Sequence, residues 1–384
     1  MADVYYKIDG STIYYSNDNL EGYTLRSDGA KLSNGKYIDF DLDGNTEFYL
    51  PSDCSYLCYG ALNEDGLTDA YRFVGSNITS TVGMFENCKN LKWVNFYSYV
   101  DLSNCTNMSR MFYECNSLIS LNWDVSNTTS VTNISYIFKG CKILPDDASM
   151  SSLDVSNVTN FEGVFYECQA ITDLDLSNWS TSKATNMSSM FYDCSNLQTL
   201  DISYFDTKKV TSFYQFLSGC SSLQEVDLSN FDTSSATNLS AMFSNCTSLE
   251  SLDVSNFDTS NVFGMSSMFA NLTVNKLDLS SWNTLKIFDA SRMFKGCANL
   301  TTIIVDPNIF ITTGFAGSGD MFLDCTSLVG EAGTTYDSTK TNREYARVDN
   351  PPDEPGYFTS IYGWKECIVY TKVNGSWKVL EVYI

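Results

Sequence analysis

A unit of about 26 residues recurs along most of this chain and constrains the fold more than any other feature of the sequence. The stretch MFYECNSL at residues 111–118 returns as MFYDCSNL at 190–197, MFSNCTSL at 242–249 and MFKGCANL at 293–300. One position of the unit is held by Cys88, Cys115, Cys141, Cys168, Cys194, Cys220, Cys246, Leu272, Cys297 and Cys325. A fixed period of this length indicates a stacked repeat architecture, here about ten copies over residues 75–330.

Two apolar periods alternate within each unit. Met187, Met190, Phe191 and Cys194 fall at i, i+3, i+4 and i+7, which predicts one face of a short helix. After the cysteine, residues 200–202 read Leu-Asp-Ile, and this alternation predicts a half-buried strand. The sequence therefore predicts a helix, a turn and a strand in every copy.

Stacking is required because one such unit cannot bury its own apolar stripe. We predict an α/β repeat solenoid, leucine-rich-repeat-like, with about ten helix-turn-strand units and a parallel sheet, roughly 45 to 50 Å long. Residues 1–74 are predicted to form an N-terminal β-rich cap or attachment region and residues 75–330 the solenoid. Residues 331–384 are predicted to form a C-terminal β-rich region with a hairpin doublet.

Residues that recur once per unit are expected to stack on their own copies, Cys194 over Cys168 and Phe191 over Phe165. A buried thiol behaves as a small hydrophobe, and Leu272 in a cysteine position favours packing over a disulfide or metal role. A second column is aromatic, and we interpret it as core, with a carbohydrate-binding strip as the alternative. Its members are Trp179, Phe205, Phe231, Phe257 and Trp282.

A third column is acidic and is the candidate partner-binding strip. Its members are Asp154, Asp175, Asp201, Asp227, Asp253 and Asp278. Each lies between two apolar residues, so period-two alternation turns it outward, and stacking places like charges close together. Hydrogen bonds to neighbouring Ser or Thr, a basic partner, or bound calcium could relieve the repulsion. A second acidic set, Asp206, Asp232 and Asp258, precedes a turn and predicts turn capping.

Composition excludes several classes of function. The chain has 46 acidic and 23 basic residues, a formal charge of −23, which disfavours nucleic acid and anionic membranes as partners. It has no histidine, hence no Ser-His or Cys-His nucleophile, and no phosphate-binding GxxxxGK[ST] motif. Cys54 and Cys58, a lone close pair, are a weak zinc signal. We predict a protein that is not an enzyme and has no cofactor, with calcium and glycan processing as the alternatives.

The repeat also resembles a known family. Phe-x-x-Cys-x-x-Leu followed by Leu-Asp-Leu-Ser-Asn-Phe-Asp-Thr-Ser, best preserved in residues 165–259, closely resembles the BspA-like leucine-rich-repeat surface proteins. Residues 336–359 resemble the tail that follows the last repeat in such proteins. Most members of that family are non-enzymatic proteins of bacterial surfaces. The resemblance therefore implies a surface protein that adheres to host or neighbouring-cell proteins.

The two ends suggest a different setting. Residues 364–370 and 377–383 form a Trp-to-Tyr doublet around Asn374-Gly375, a strong hairpin turn signal. The doublet resembles the ends of bacteriophage fibre and other virion proteins, and residues 4–15 are built similarly around Asp9-Gly10. Residues 1–20 lack the basic start and apolar run of a signal peptide.

Two functional hypotheses follow. The first is a bacteriophage virion fibre or decoration component on the virion surface, displaying the repeats for surface contact. The alternative is a bacterial cell-surface, BspA-like adhesin whose leader was removed. The expected partners are a protein or glycan on a cell surface and, through the terminal regions, other virion proteins. A homo-oligomer is left open.

Overall fold

The structure is a computed structural model of the 384-residue chain. It describes residues 5–9, 12–16, 24–25, 47–60, 72–96, 100–123, 127–146, 153–350, 354–362, 366–373 and 376–383. The strands are β1 (Tyr5–Asp9), β2 (Thr12–Ser16), β3 (Thr24–Leu25), β4 (Glu47–Tyr49), β5 (Arg72–Val74), β6 (Trp93–Phe96), β7 (Ser120–Trp123), β8 (Lys276–Asp278), β9 (Thr302–Val305), β10 (Phe358–Ser360), β11 (Glu366–Val373) and β12 (Ser376–Tyr383). A 3-10 helix occupies Arg343–Tyr345.

The described strands form four small sheets. Their orders are β3-β1-β2-β4-β5, β10-β9-β8, β11-β12 and β6-β7. Strands that belong to successive copies pair in parallel, as β6 with β7 and β8 with β9. The strands of the predicted C-terminal hairpin, β11 and β12, pair antiparallel, and β1 and β2 pair in the same way near the N-terminus. Residues 10–11 and 374–375, between these strands, lie outside the described residues.

Between the sheets, a ladder of single parallel bridges holds the copies in register. It runs through Asp53, Ser80, Asn107, Asn133, Asn160, Asn186, Ser212, Asn238, Gly264, Asp289 and Gly317. Each bridge joins the same position in consecutive copies, so the predicted stacking of the repeat is confirmed. Residues 53–60 belong to the same stack. The amides of Cys54 and Cys58 donate to the carbonyls of Ser80 (2.9 Å) and Met84 (2.7 Å) in the next copy.

The predicted helix of each unit is wrong. No α-helix occurs among the described residues, and residues 187–194 form overlapping turns instead. The amide of Met190 donates to the carbonyl of Met187 (3.3 Å), and the amide of Cys194 donates to that of Phe191 (3.2 Å). All four side chains are nevertheless fully buried. The i, i+3, i+4, i+7 pattern thus predicts correctly which side chains are buried, but it predicts the wrong backbone conformation.

Backbone dihedrals show why these turns cannot be helical. Ser189 and Asp193, each the third residue of a four-residue turn, have φ of 54° and 55°, as in type II turns and unlike a right-handed helix. Their amides donate to the next copy, at Tyr214 (2.7 Å) and Ser218 (2.8 Å). Backbone hydrogen bonds that a helix would form within itself therefore join neighbouring copies. The helix-turn-strand solenoid, and the leucine-rich-repeat assignment that rests on it, is replaced by a stack of turns with short parallel sheets.

The predicted strand is also absent from most copies. Residues 200–202 and 226–228 belong to no strand. Their side chains still alternate, since Leu200 and Ile202 are buried while Asp201 is exposed. The alternation predicted from the sequence is therefore confirmed, without regular strand pairing at those positions.

The core is a set of columns that run along the stack. Phe165 stacks on Phe138 at 6.0 Å and on Phe191 at 5.7 Å between ring centres, as predicted for the Phe165–Phe191 pair. Leu217 occupies this position in the following copy and is equally buried. Since each ring contacts the copies before and after it, the core has no boundary between units.

A buried carboxylate organises the C-terminal end of the stack. Asp349 is 0% exposed and accepts hydrogen bonds from the amides of Ala332 (3.0 Å), Thr334 (2.8 Å) and Gly356 (3.1 Å) and from the Thr334 hydroxyl (2.5 Å). Four donors satisfy a group that would be costly to bury alone. Next to it, Tyr357 packs edge-on against Phe322 at 5.2 Å and closes the phenylalanine column.

Candidate functional site

The aspartates predicted to line the strand segment each cap a local turn. In every case Oδ1 accepts a hydrogen bond from the backbone amide of a serine two residues later. The pairs are Asp154–Ser156, Asp175–Ser177, Asp201–Ser203, Asp227–Ser229, Asp253–Ser255 and Asp278–Ser280, at 2.9 to 3.0 Å. This geometry, an Asx turn, fixes the direction of each carboxylate from within its own copy.

Asp154 does not belong to the same column as the other five. Its amide donates to the Thr128 hydroxyl (2.9 Å) and its carbonyl accepts from it (3.1 Å). Asp232, in the second acidic set, bonds to Thr207 in the same two ways, at 2.8 and 3.0 Å. Alignment by sequence failed here because Asp175 follows Asp154 by 21 residues, whereas the later members are 25 or 26 apart.

The second acidic set is confirmed as turn capping. Oδ1 of Asp206, Asp232 and Asp258 accepts hydrogen bonds from the amides two residues later, at 3.2, 2.9 and 2.9 Å. The Ser234 hydroxyl adds a second bond to Asp232 (2.6 Å). These carboxylates stabilise the turn that follows the strand segment, on a different edge of the stack.

The remaining aspartates form an outward surface with further acidic side chains. We call this surface the acidic face and define it by Asp173, Asp175, Asp201, Glu225, Asp227, Glu250, Asp253 and Asp278. A shallow groove of about 570 Å³ crosses Asp201, Asp227 and Asp253. Adjoining grooves of about 460 and 200 Å³ extend it towards Asp278 and Asp175. The acidic face is therefore continuous over five copies, with Lys276 as a basic side chain at its C-terminal end.

Hydrogen bonding lowers the pKa of three aspartates of this face. The bonds from Ser177 hold the pKa of Asp175 below its ordinary value, the side-chain bond having the largest effect. The backbone bonds from Ser229 and Ser255 are the main cause of the lowered pKa of Asp227 and Asp253. Hydrogen bonds to the ionised form favour it, so Asp175, Asp227 and Asp253 stay anionic at neutral pH.

Three interpretations of the acidic column were hydrogen bonding to Ser or Thr, a basic partner and bound calcium. The structure shows the first, as hydrogen bonds to the neighbouring serines. The calcium alternative requires several oxygen ligands around one point. Within the described residues, no group of three or more Asp, Glu or Cys converges in a way that could hold a metal ion. The partner-binding strip remains a prediction.

The cysteine column is bonded in a way the sequence did not predict. Every column thiol from Cys88 to Cys325 donates its hydrogen to a backbone carbonyl of the preceding copy, at 2.9 to 3.2 Å; the donors are Cys88, Cys115, Cys141, Cys168, Cys194, Cys220, Cys246, Cys297 and Cys325. Burial raises the pKa of Cys246 and Cys297 to about 12. Protonated thiols of this kind are poor nucleophiles and poor metal ligands, which confirms the packing interpretation.

The aromatic column is also confirmed as core. Trp179, Phe205, Phe231, Phe257 and Trp282 are each at most 2% exposed. The Trp282 indole N–H donates to the carbonyl of Val254 (3.1 Å). The alternative of a carbohydrate-binding strip is therefore excluded for these rings.

Sequence reasoning missed a cationic and aromatic cluster on another edge of the stack. Lys139 Nζ lies 4.4 Å from the ring centre of Tyr166 and 5.0 Å from that of Tyr113. Arg110 lies 3.9 Å from the Tyr113 ring and pairs with Glu86 at 2.6 Å. The signal was present, because Tyr113, Lys139 and Tyr166 each stand two residues before a column cysteine. Cation–π contacts of this kind stabilise the stack from outside.

Comparison with known families identifies the repeat. The model of a family described as "Mycoplasma protein of unknown function, DUF285" matches three overlapping stretches, residues 63–172, 106–226 and 211–334. Together they span residues 63–334, well over half of the 384 residues. The chain belongs to the DUF285 family. No curated protein matches the sequence.

The three DUF285 matches contain the whole acidic face and all nine column cysteines. The bridge ladder likewise lies inside the DUF285 matches, apart from its first step at Asp53. Where the structure describes the chain, no helix combines the length and the apolar composition needed to cross a bilayer.

Proposed function

We propose that this DUF285 protein is a non-enzymatic binding protein that presents its acidic face to a basic partner on a cell surface. The observation that carries the proposal is the aspartate that is fixed by the same hydrogen bond at the same position of five consecutive copies. A carboxylate accepts several hydrogen bonds, so capping one amide leaves it able to pair with a lysine or arginine. Repetition along the stack would give such a partner several simultaneous contacts.

A bacteriophage virion fibre or decoration component is the first proposed setting. The support is the C-terminal doublet, whose two halves pair residue by residue as β11 and β12 from Glu366–Tyr383 to Val373–Ser376. The resemblance of this doublet to the ends of virion proteins suggests that the C-terminal hairpin attaches the stack to other virion proteins.

A bacterial cell-surface adhesin of the BspA-like class is the alternative. Its support is membership of the DUF285 family, since DUF285 repeats are associated with BspA-like surface proteins. In that setting the acidic face would contact a protein of a host or a neighbouring cell.

Immunogold electron microscopy distinguishes the two settings. An antibody to this protein is applied to purified phage particles and to washed cells from the same source culture. Gold at regular positions on the particles would support the virion setting, and gold on intact envelopes with bare particles would support the adhesin. Labelling of neither, with the protein found only inside cells, would overturn both settings.

Surface binding itself is tested with the purified full-length chain. Fluorescently labelled protein is added to washed intact cells at two salt concentrations. We expect saturable binding that weakens at the higher salt, because exposed charge pairs are screened. Absence of saturable binding, or binding independent of salt, would contradict contact through the acidic face.

A further inference from the structure

The internal repeat provides a reference for every surface position, and one exposed column is threonine in most copies. Its members are Thr79, Thr106, Thr132, Thr159, Thr185, Thr211 and Thr237. Each amide from Thr106 onward donates to the threonine carbonyl of the preceding copy, and so do most of the hydroxyls, as for Thr237 to Thr211 at 2.8 and 3.0 Å. The threonine hydroxyl therefore adds a second bond between copies at this position.

Two consecutive copies break the threonine column with phenylalanine. The backbone bonds continue, from Phe263 to Thr237 (2.9 Å) and from Phe288 to Phe263 (2.8 Å), but no hydroxyl remains to add the second bond. Phe263 is 53% exposed and Phe288 is 64% exposed. Each substitution thus removes a stabilising bond and leaves a large apolar ring in water, so folding of the stack does not account for it.

A neighbouring column changes at the same place. Leu285 is 66% exposed and occupies the position of Ser234 and Ser260 in the two preceding copies. We call Phe263, Leu285, Lys286 and Phe288 the aromatic patch. The backbone bond from Phe288 to Phe263 places these two positions in adjacent copies of one column, so the three exposed apolar residues lie on the same edge of the stack.

A lysine supplies the charge of the aromatic patch. Lys286, which is exposed, stands between Leu285 and Phe288 and donates from Nζ to Oδ1 of Asn261 (2.7 Å). The nearest carboxylate along the chain, Asp289, accepts the amide of Ser291 (2.9 Å). On a chain with a net charge of −23, this patch combines apolar surface with a cation.

A second copy of the chain is a poor occupant for this surface. Three side chains that are half to two-thirds exposed offer roughly 300 Å² of apolar area, whereas a stable interface buries about 800 Å² on each partner. Two chains that each carry −23 also repel one another. The area fits a few side chains of an extended segment.

We propose that the aromatic patch binds a short segment of a partner protein that carries apolar side chains next to a carboxylate. The apolar side chains cover Phe263, Leu285 and Phe288, and the carboxylate pairs with Lys286. This site is separate from the acidic face and does not depend on the function proposed above.

The repeat supplies substitutions that remove the patch without harming the fold. The double variant Phe263→Thr, Phe288→Thr restores the residue found in the seven preceding copies, Thr79 to Thr237, and should be at least as stable as the parent chain. Lys286→Asn removes the cation and restores the residue found at position 261. Tyr204→Asn is the matched control, because Tyr204 is 64% exposed and replaces the asparagine found at 178, 230 and 256.

The probe is a short fluorescein-labelled peptide of alternating leucine and glutamate, with two comparison peptides that carry lysine for glutamate or serine for leucine. Binding to the full chain is followed by fluorescence anisotropy at physiological ionic strength. We expect the leucine–glutamate peptide to bind the parent chain and Tyr204→Asn equally. Its affinity should fall about tenfold or more with the double threonine variant, the loss expected for central apolar contacts. With Lys286→Asn it should fall about threefold, as for an exposed ion pair.

The comparison peptides separate this site from the acidic face. The lysine peptide should bind with an affinity that the threonine variant leaves unchanged, and the serine peptide should not bind. The proposal is overturned if the leucine–glutamate peptide does not bind the parent chain, or if the threonine variant binds it equally well. It is also overturned if sedimentation shows a dimer of the parent chain that the threonine variant abolishes, since the occupant would then be a second copy.

Discussion

The phenylalanine column inside the stack and the aspartate column of the acidic face repeat with the same period but are held in different ways. Phe165 obtains its environment from the preceding and following copies, through ring contacts at 6.0 and 5.7 Å. Asp201 obtains its position from Ser203 in its own copy, through a bond of 3.0 Å. The repeated core residues therefore hold neighbouring copies together, whereas each repeated aspartate of the acidic face stabilises only a turn of its own copy.

This difference predicts how the two columns respond to substitution. Removing a core ring leaves a cavity that several copies share, so stability should fall strongly. Replacing an aspartate by another residue that can cap the same turn should leave stability almost unchanged. The acidic face can therefore be altered without unfolding the stack, as a binding surface requires.

The largest expected effect is on the core. Phe165→Ala should lower the free energy of unfolding by about 3–5 kcal/mol, because a buried ring is lost and a cavity remains. Urea denaturation followed by circular dichroism measures the change. Phe165→Leu is the matched control, since leucine occupies this position as Leu217, and should cost less than about 1.5 kcal/mol. Equal losses for the two variants would contradict a closely packed column.

A smaller loss is expected at the C-terminal end of the stack. Asp349→Ala leaves the amide donors of residues 332, 334 and 356 without their acceptor, and of these three bonds that of Gly356 is buried and the other two are partly buried. The change should cost about 2–4 kcal/mol, since an unsatisfied buried group costs roughly 1–3 kcal/mol. Amide hydrogen exchange should show faster opening around β10 than in the middle of the stack. Asp337→Ala, which removes an exposed turn cap at Thr339, is the control. An equally small effect of both changes would contradict the organising role of Asp349.

A smaller effect still is expected on the acidic face. Asp201→Ala removes the acceptor for the Ser203 amide and should cost about 1 kcal/mol, the net value of one hydrogen bond. Asp201→Asn keeps an acceptor oxygen for the same bond and should change stability by less than about 0.5 kcal/mol. The comparison of the two variants by urea denaturation separates capping from charge. A large loss with asparagine would show that the charge itself supports the fold.

The smallest effect concerns pH. Because the pKa of Asp175, Asp227 and Asp253 is lowered in the folded chain, their contribution to stability is complete above the unfolded value of about 3.9. It is lost as pH falls through the lower folded values. Carboxyl carbon NMR titration should show these three aspartates titrating below the ordinary range. Midpoints at or above the ordinary value would mean that like-charge repulsion outweighs the serine bonds.

The period, the stacking and the buried columns were predictable from the sequence because a residue that recurs once per copy must meet its own copies. The absence of the helix could not be predicted from the apolar pattern, because turns whose third residue has positive φ also bring four apolar residues at i, i+3, i+4 and i+7 to one side. A signal against the helix was present. The residue before the column cysteine is Gly, Asn or Asp in most copies, as in Gly140, Asp193 and Asn245, and these residue types favour positive φ.

The acidic face was predictable in part. Alternation correctly turned Asp201 and its equivalents outward, since each lies between two apolar residues that are buried or, in the case of Val226, half-buried. The position of Asp154 in the stack was misread from the sequence, because Asp154 also lies between two apolar residues, and its contacts with Thr128 assign it to the capping set. The aromatic patch was detectable only by comparing each surface position with its copies, since a single exposed phenylalanine carries no signal.

The most direct test of the account is binding of the triple variant Asp201→Asn, Asp227→Asn, Asp253→Asn to intact cells, measured beside its stability in urea. We predict that the free energy of unfolding stays within about 1 kcal/mol of the parent chain, while saturable cell binding falls about tenfold or more. Cell binding equal to that of the parent, with the fold intact, would contradict the account and leave the acidic face as a row of turn caps.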